Sequence, residues 1–229
     1  LNTHKLLEGY YGVVMAGGIL MPLNVRLSPQ EMVAILNHSE AKMVIFEKDF
    51  APLVEKLRDV CKSVEKWVAA DEPAACADLT YEELIDSGVA ERTDIMAVDE
   101  NSIAELFYTS GSTGTPKGVM HTHRTLYLHA LSVGSLYKEP YSMVDLHTIP
   151  LFHANGWGRP QASVYLGVKQ VMVRLFRPAH VFELIQQHKA TEMSLVPTIA
   201  NALLNAPEAA NFDLTTLRTV MIGGAAGSP

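Results

Sequence analysis

What most constrains this chain is the repeated exchange of one hydrophobic periodicity for another. Leu6, Leu7, Tyr10, Tyr11, Val13 and Val14 recur at helical spacing, Gly17-Gly18 ends that helix, and the apolar run Ile19 to Leu23 reads as a strand. Ser28-Pro29-Gln30-Glu31 combines a capping box with Pro at the first helical position. The helix it opens runs to about His38 and leads into the strand Met43 to Phe46. Asp49 is expected to cap the next helix, with Leu53, Val54 and Leu57 on its apolar face, and Val64 to Val68 reads as another strand. From Asp71 to Asp99 the pattern weakens to a surface excursion holding one short helical stretch, Tyr81 to Asp86.

The alternation then resumes. Ile103 to Tyr108 and Val119 to His121 read as strands on either side of a Gly/Ser/Thr loop, and Thr122 suits the cap of a helix from Arg124 to Leu136. Val144 to Ile149, Gln170 to Val173, Met193 to Val196 and Thr219 to Ile222 are apolar runs of strand length. Helical patterns at Pro178 to Gln187 and Thr198 to Leu204 separate the later ones. Such alternation predicts an α/β fold, a mostly parallel sheet flanked by helices on both faces. The 229 residues read as one domain, or as two divided into 1–99 and 100–229 at the weak stretch.

Charge narrows the partners. Lys plus Arg number 18 against 25 Asp plus Glu, and a net charge of -7 gives no general attraction to nucleic acid or to an anionic membrane. The uncharged stretch Tyr10 to Leu23 is broken by Gly12, Gly17, Gly18 and Pro22, and it is shorter than the roughly 18–20 apolar residues a membrane-spanning helix needs. Cys61 and Cys76 form neither a C-x-x-C pair nor a His/Cys ligand cluster, so they read as reduced thiols of a cytoplasmic protein. Leu1 follows no initiator Met or targeting pattern, and Gly227-Ser228-Pro229 closes the chain just after a strand and a glycine turn. The expectation is therefore a piece of a longer protein.

The segment richest in chemistry is Tyr108-Thr109-Ser110-Gly111-Ser112-Thr113-Gly114-Thr115-Pro116-Lys117-Gly118. Its glycines let backbone N–H groups approach an anion, its hydroxyls donate further hydrogen bonds, and Lys117 brings a positive charge. By composition this is a phosphate cradle, although Gly/Ser/Thr-rich turns also join strands that bind nothing. It is not a Walker A loop: Pro116 stands where that motif requires Gly, Gly118 where it requires Ser or Thr, and the flank Val119-Met120 favours a strand over a helix.

These residues resemble the signature loop of the adenylate-forming superfamily, which includes acyl-CoA synthetases, luciferase and the adenylation domains of peptide synthetases. Thr122-His123-Arg124 resembles the continuation of that loop, and Ile149-Pro150-Leu151-Phe152-His153-Ala154-Asn155-Gly156-Trp157 resembles the Phe-His segment of the fatty-acyl branch. Gly17 to Asn24 with Leu27 to Glu31 is similar to an upstream block, and Val220 to Ala225 to the later strand ending in Gly-Gly. The resemblance implies the N-terminal domain of an acyl-CoA synthetase. Such an enzyme joins a carboxylic acid to ATP as an acyl-adenylate and then exchanges AMP for CoA.

On that resemblance, Thr109, Ser110, Gly111, Ser112, Thr113, Gly114 and Lys117 would hold the β- and γ-phosphates of ATP, with the Thr109 hydroxyl near Mg²⁺. Lys117 and His153 would be the catalytic side chains. His153 would stand beside the acyl and nucleotide pockets, though a His here also suits the cap of a turn. Trp157 resembles the gate of a fatty-acid tunnel and would contact a medium- or long-chain acid, though a large aromatic beside glycines also serves as core packing. Gly223, Gly224 and Ala225 would line the adenine and acyl pockets. His121, His123 and His129 suggest a metal site only by spacing, and the family uses no structural zinc.

An intact member continues past the equivalent of Pro229 into residues for adenine, ribose and Mg²⁺ and into a small C-terminal domain. The expectation for this chain alone is incomplete catalysis. Two other readings stay open: an adenylation domain that loads a carrier protein, and a nucleotide- or acyl-binding remnant without turnover. The sequence does not decide between a monomer and a homodimer.

Overall fold

The computed structural model describes residues 1–88, 98–109, 116–137 and 140–224. These divide into two compact units. The first comprises Leu1–Pro22, Val98–Phe107 and Met120–Pro229, and the second Leu23–Ala97 and Tyr108–Val119. The chain passes from one unit to the other inside two strands, β4 (Ile103–Thr109) and β5 (Lys117–Thr122), which pair with each other in a two-stranded sheet.

In the second unit, α2 (Pro29–His38) starts on the predicted capping box: Ser28 Oγ accepts from the Glu31 N–H at 3.3 Å, and the Ser28 N–H donates to Glu31 Oε2 at 2.8 Å. The strands β1 (Met43–Phe46), β2 (Lys66–Ala69) and β3 (Leu79–Thr80) form a parallel sheet in that order. Two helices, α3 (Ala51–Arg58) and α4 (Tyr81–Asp86), complete the unit. Met32, Ile35, Leu36, Val54, Leu57, Trp67 and Val68 are buried, and each such side chain contributes roughly 1.5–3 kcal/mol relative to exposure.

Two expectations fail here. Asp49 does not cap α3; it lies inside a 3-10 turn, Lys48–Phe50, and α3 starts after Phe50 with no side-chain cap. The short strand β3 lies within the stretch read as a surface excursion. It is held because the Asp78 carboxylate accepts from the Trp67 N–H and from Arg58 Nη2, both at 2.7 Å, which compensates for its having only two residues.

In the first unit, α1 (His4–Met15) is capped by Thr3 and ends at Gly17, whose φ of 77° few side chains would accept. The run Ile19 to Leu23 is not a strand. It makes one parallel bridge, Leu20 to Glu105, before Pro22 removes the next donor. Thr122 caps α5 (His123–Gly134) by accepting from the Thr125 N–H at 3.1 Å.

The main sheet of this unit is wholly parallel, in the order β7 (Lys169–Met172), β6 (Val144–His147), β8 (Glu192–Leu195), β9 (Thr219–Ile222). Leu146, Val171, Met193 and Leu195 from its strands form one core with Val181, Phe182 and Ile185 of α7 (Pro178–His188) and with Ala200 and Leu203 of α8 (Pro197–Leu204). The predicted α/β architecture of parallel strands and flanking helices is thus present, with the strands divided among separate sheets.

The other major contact of the first unit joins its earliest residues to the segment after β6. Buried Asn2 donates to the Ile149 carbonyl and accepts from the Leu151 N–H, each at 2.9 Å. Tyr10 Oη donates to the Leu151 carbonyl at 2.7 Å. These bonds fix the backbone that leads directly to His153. A helix absent from the sequence reading follows: α6 (Arg159–Tyr165). No helix among the described residues is long and apolar enough to cross a membrane.

Candidate functional site

The second unit carries both flanks of the Gly/Ser/Thr-rich segment as strand termini: Thr109 is the last residue of β4 and Lys117 the first of β5, and both are exposed. Strand pairing therefore fixes the backbone on each side of the hydroxyl- and glycine-rich loop while leaving the two side chains in solvent. Ser110, Gly111, Ser112, Thr113 and Gly114 lie outside the described residues, as does Ala225.

Tyr108, immediately before Thr109, is anchored in a way the sequence reading missed. Its Oη lies 2.6 Å from His38 Nδ1, and the two rings meet edge to face with centroids 5.9 Å apart. Partial burial raises the phenol's pKa, so Tyr108 stays protonated at neutral pH.

In the first unit, His153 is exposed at the head of a 3-10 turn, Ala154–Gly158. Its backbone N–H donates to the Pro150 carbonyl at 3.0 Å and its side chain makes no cap hydrogen bond. Among the described residues the capping alternative therefore has no support. The turn then bends through three successive left-handed residues, Gly156, Trp157 and Gly158, with φ of 53°, 60° and 68°. For the bulky Trp157 that conformation costs on the order of 1–3 kcal/mol and persists only where neighbours over-determine it.

Those neighbours are identifiable. The indole lies against Gly223 and Gly224, just after β9: a Cβ on Gly223 would stand 3.0 Å from Trp157 Cη2, and one on Gly224 3.7 Å from Cζ2. The next residue, Gly158, is packed so closely by His129 of α5 that a Cβ there would come within 2.3 Å of the imidazole. Four of the predicted residues, His153, Trp157, Gly223 and Gly224, thus belong to the first unit, and Trp157 is in contact with both glycines. Small residues at 223 and 224 are what this contact requires.

Directly after Gly158, Arg159 is buried and reaches the carboxylate of Asp145 on β6. Nε lies 2.9 Å from Oδ2 and Nη2 lies 2.9 Å from Oδ1. Ser163 Oγ and Tyr137 Oη donate to the same Oδ2 at 3.1 and 3.2 Å, and the guanidinium sits 4.9 Å from the Tyr137 ring centroid. Sequence reading took Val144 to Ile149 as an apolar strand and passed over this acid. The available signal was an Asp within an apolar run together with an Arg directly after Gly-Trp-Gly.

The residues present are compatible with magnesium carried by a nucleotide. Among the described residues no group of three or more His, Cys, Asp and Glu is arranged to hold a metal ion. Mg²⁺ needs no such cage, since it commonly binds through one or two protein oxygens, substrate phosphates and water.

Residues 1–229 match the family described as AMP-binding enzyme along their whole length. The chain belongs to this family. Among curated AMP-binding relatives, it is 38% identical to the long-chain-fatty-acid–CoA ligase of Thermus thermophilus, an alignment covering 98% of this chain and 41% of that protein. It is 33% identical to 4-hydroxybutyrate–CoA ligase 2 of Metallosphaera sedula, covering all of this chain and 43% of the relative. The chain therefore spans less than half the length of these AMP-binding proteins. Among solved structures, the inhibitor-bound N-terminal domain of FACL13 from Mycobacterium tuberculosis superposes with a TM-score of 0.85 at 29% identity, covering 99% of this chain and 56% of that one.

Proposed function

We propose that the protein containing this chain is an AMP-forming acyl-CoA synthetase acting on a medium- or long-chain fatty acid. The observation that carries the reading is the match of all 229 residues to the AMP-binding family, within which the two relatives described are CoA ligases. In this reading a substrate carboxylate oxygen attacks the α-phosphorus of ATP, and the bond to the bridging oxygen breaks, releasing pyrophosphate. The thiolate of CoA then attacks the acyl carbonyl and AMP leaves with the electron pair of the mixed anhydride.

Lys117 and the loop hydroxyls and amides from Ser110 to Gly114 would hold the β- and γ-phosphates. They would neutralise charge that grows on pyrophosphate as it departs, and so favour the transition state over the ground state. Thr109 would offer its hydroxyl to Mg²⁺, which when bound to the phosphates supplies further charge neutralisation. His153 would face the reacting carboxylate. Trp157 over Gly223 and Gly224 would form the wall met by the acyl chain, Ala225 would contribute to the same pocket by resemblance, and Trp157 in its Phe-His-Ala-Asn-Gly-Trp context motivates a fatty acid over acetate. The cytoplasm is the proposed compartment, supported by free, buried Cys61 and Cys76 and by burial that raises the pKa of the Cys61 thiol and suppresses its reactivity.

The deciding experiment is carboxylate-dependent pyrophosphate release from Mg·ATP. It should be run on this chain and on the longest natural form that contains it, across saturated acids of increasing length. Release by the longer form, strongest with medium or long acids, is expected. Preference for acetate would refute the fatty-acid assignment, and ATP binding with no release by either form would replace the enzyme with a nucleotide-binding module.

A further inference from the structure

The Asp145–Arg159 pair lies outside the roles assigned so far, and its stability alone does not account for it. Exchanging a buried ion pair for apolar residues of similar volume is often neutral or stabilising, so the contribution to seek is a definite geometry. Here the geometry is unusual. Asp145 projects from β6 at the centre of the parallel sheet, is fully buried, and faces Arg159 Nε and Nη2, Ser163 Oγ and Tyr137 Oη. His147 Nε2, 3.8 Å away on the same strand, is too distant to hydrogen-bond.

Arg159 is the first residue of α6, two positions after Trp157, and the residue between them is the glycine packed by His129. The left-handed corner is consequently held at its far side by a charged contact to the sheet, in which Arg159 Nε donates to both Asp145 carboxylate oxygens at 2.9 and 3.2 Å, while the indole on its near side rests on Gly223 and Gly224. A planar guanidinium fixes direction as well as distance, which a point charge or an apolar side chain does not.

We propose that the Asp145–Arg159 pair is a positioning device for Trp157: by fixing the start of α6 against β6, it holds the Gly156–Trp157–Gly158 corner so that the indole covers Gly223 and Gly224, and thereby sets the acid lengths the site accepts. The selectivity half rests on the acyl-activating function proposed above. The positioning half does not. Asp145, Arg159, Ser163 and Tyr137 are positioning residues that act through Trp157.

The test uses Trp157 as the sole tryptophan, in a Trp67→Phe background, with emission and acrylamide quenching as the readout. The double variant Asp145→Leu/Arg159→Leu removes both charges without stranding either. Its emission should shift to the red and its quenching rise, whereas Leu146→Ala, a core truncation on the same strand, should lower stability and leave Trp157 emission unchanged. If the double variant fails to fold, Tyr137→Phe/Ser163→Ala strips two donors from Asp145 and should give a smaller shift in the same direction. A folded variant with unchanged emission, or an equal shift in Leu146→Ala, overturns the proposal.

In the longest natural form, the double variant should change the ratio of kcat/KM for long over short acids by about tenfold, chiefly through KM. A shifted emission with an unchanged ratio overturns the selectivity half. Failure of the unsubstituted enzyme to activate any acid would instead refute the acyl-activating function, and the fluorescence result would still decide the positioning.

Discussion

His38, the last residue of α2, holds Tyr108 through a 2.6 Å hydrogen bond between imidazole Nδ1 and phenol Oη. Tyr108 precedes Thr109, so the backbone entering the Gly/Ser/Thr-rich segment is tethered to a helix residue 70 positions earlier in the chain. In the proposed role, where this loop would present several N–H groups to one phosphate, a fixed entry point would help to orient them.

His38→Ala and Tyr108→Phe should each weaken binding of Mg·ATP by about 0.5–1.5 kcal/mol, the usual net value of one hydrogen bond. The double variant should lose no more than the larger single loss, because both remove the same bond. Titration calorimetry on the four proteins checks this, and simple addition of the two losses would mean that the side chains act independently.

Lys117→Ala should weaken ATP binding by about 1.5–3 kcal/mol if its ammonium makes a charge-assisted contact with the β- or γ-phosphate. AMP, which lacks those phosphates, should bind the variant and the unsubstituted protein equally. Equal loss for both nucleotides would point to a folding defect, and no loss for either would remove Lys117 from the site.

Gly223→Ala should destabilise the first unit by about 1–3 kcal/mol through overpacking, because the new methyl would stand 3.0 Å from Trp157 Cη2. Trp157→Ala in the same protein should recover most of that loss. Urea unfolding of the two single variants and the double variant measures the coupling, and an unrelieved loss would place the clash elsewhere.

Stability should fall as pH is lowered below about neutrality, in part through His147. Burial lowers its pKa from the ordinary 6.5. As pH falls through that value the unfolded chain takes up a proton that the folded chain resists, so the unfolding free energy declines until the folded imidazole also titrates. His121, lowered by burial and by the nearby His129, acts in the same direction. His147→Gln should flatten the dependence of urea midpoint on pH between 7.5 and 5.5 without abolishing it, a window of roughly two units around the reference value. An unchanged slope would exclude His147 as a contributor.

The elements best read from sequence are those whose determinants lie within a few residues. Ser28 and Glu31 announce α2, Thr122 announces α5, and Thr219 to Ile222 is a strand as expected, because a cap or an apolar run is a local property. Asp49 misled because an acid before a helix also suits the 3-10 turn that it occupies. Ile19 to Leu23 misled because strand identity depends on a partner, and the chain supplies one bridge there. Thr109, Lys117, His153, Trp157, Gly223 and Gly224 are candidates named through motif resemblance, which gives positions without saying what holds them. The supports, His38 for Tyr108 and Asp145 for Arg159, join residues 70 and 14 positions apart and leave little periodic trace.

The clasp of Asn2 on Ile149 and Leu151 has a consequence for synthesis. The hydrogen bond between Asn2 and Leu151 closes a loop of 149 residues, and Tyr10 reaches Leu151 across 141. During translation α1 can form early, but its polar anchors stay without their partners until the ribosome has released the segment that leads to His153. The helix α1 is thereby locked well after it is made, and a chaperone that held its anchoring residues Asn2 and Tyr10 would delay the ordering of a loop encoded far downstream.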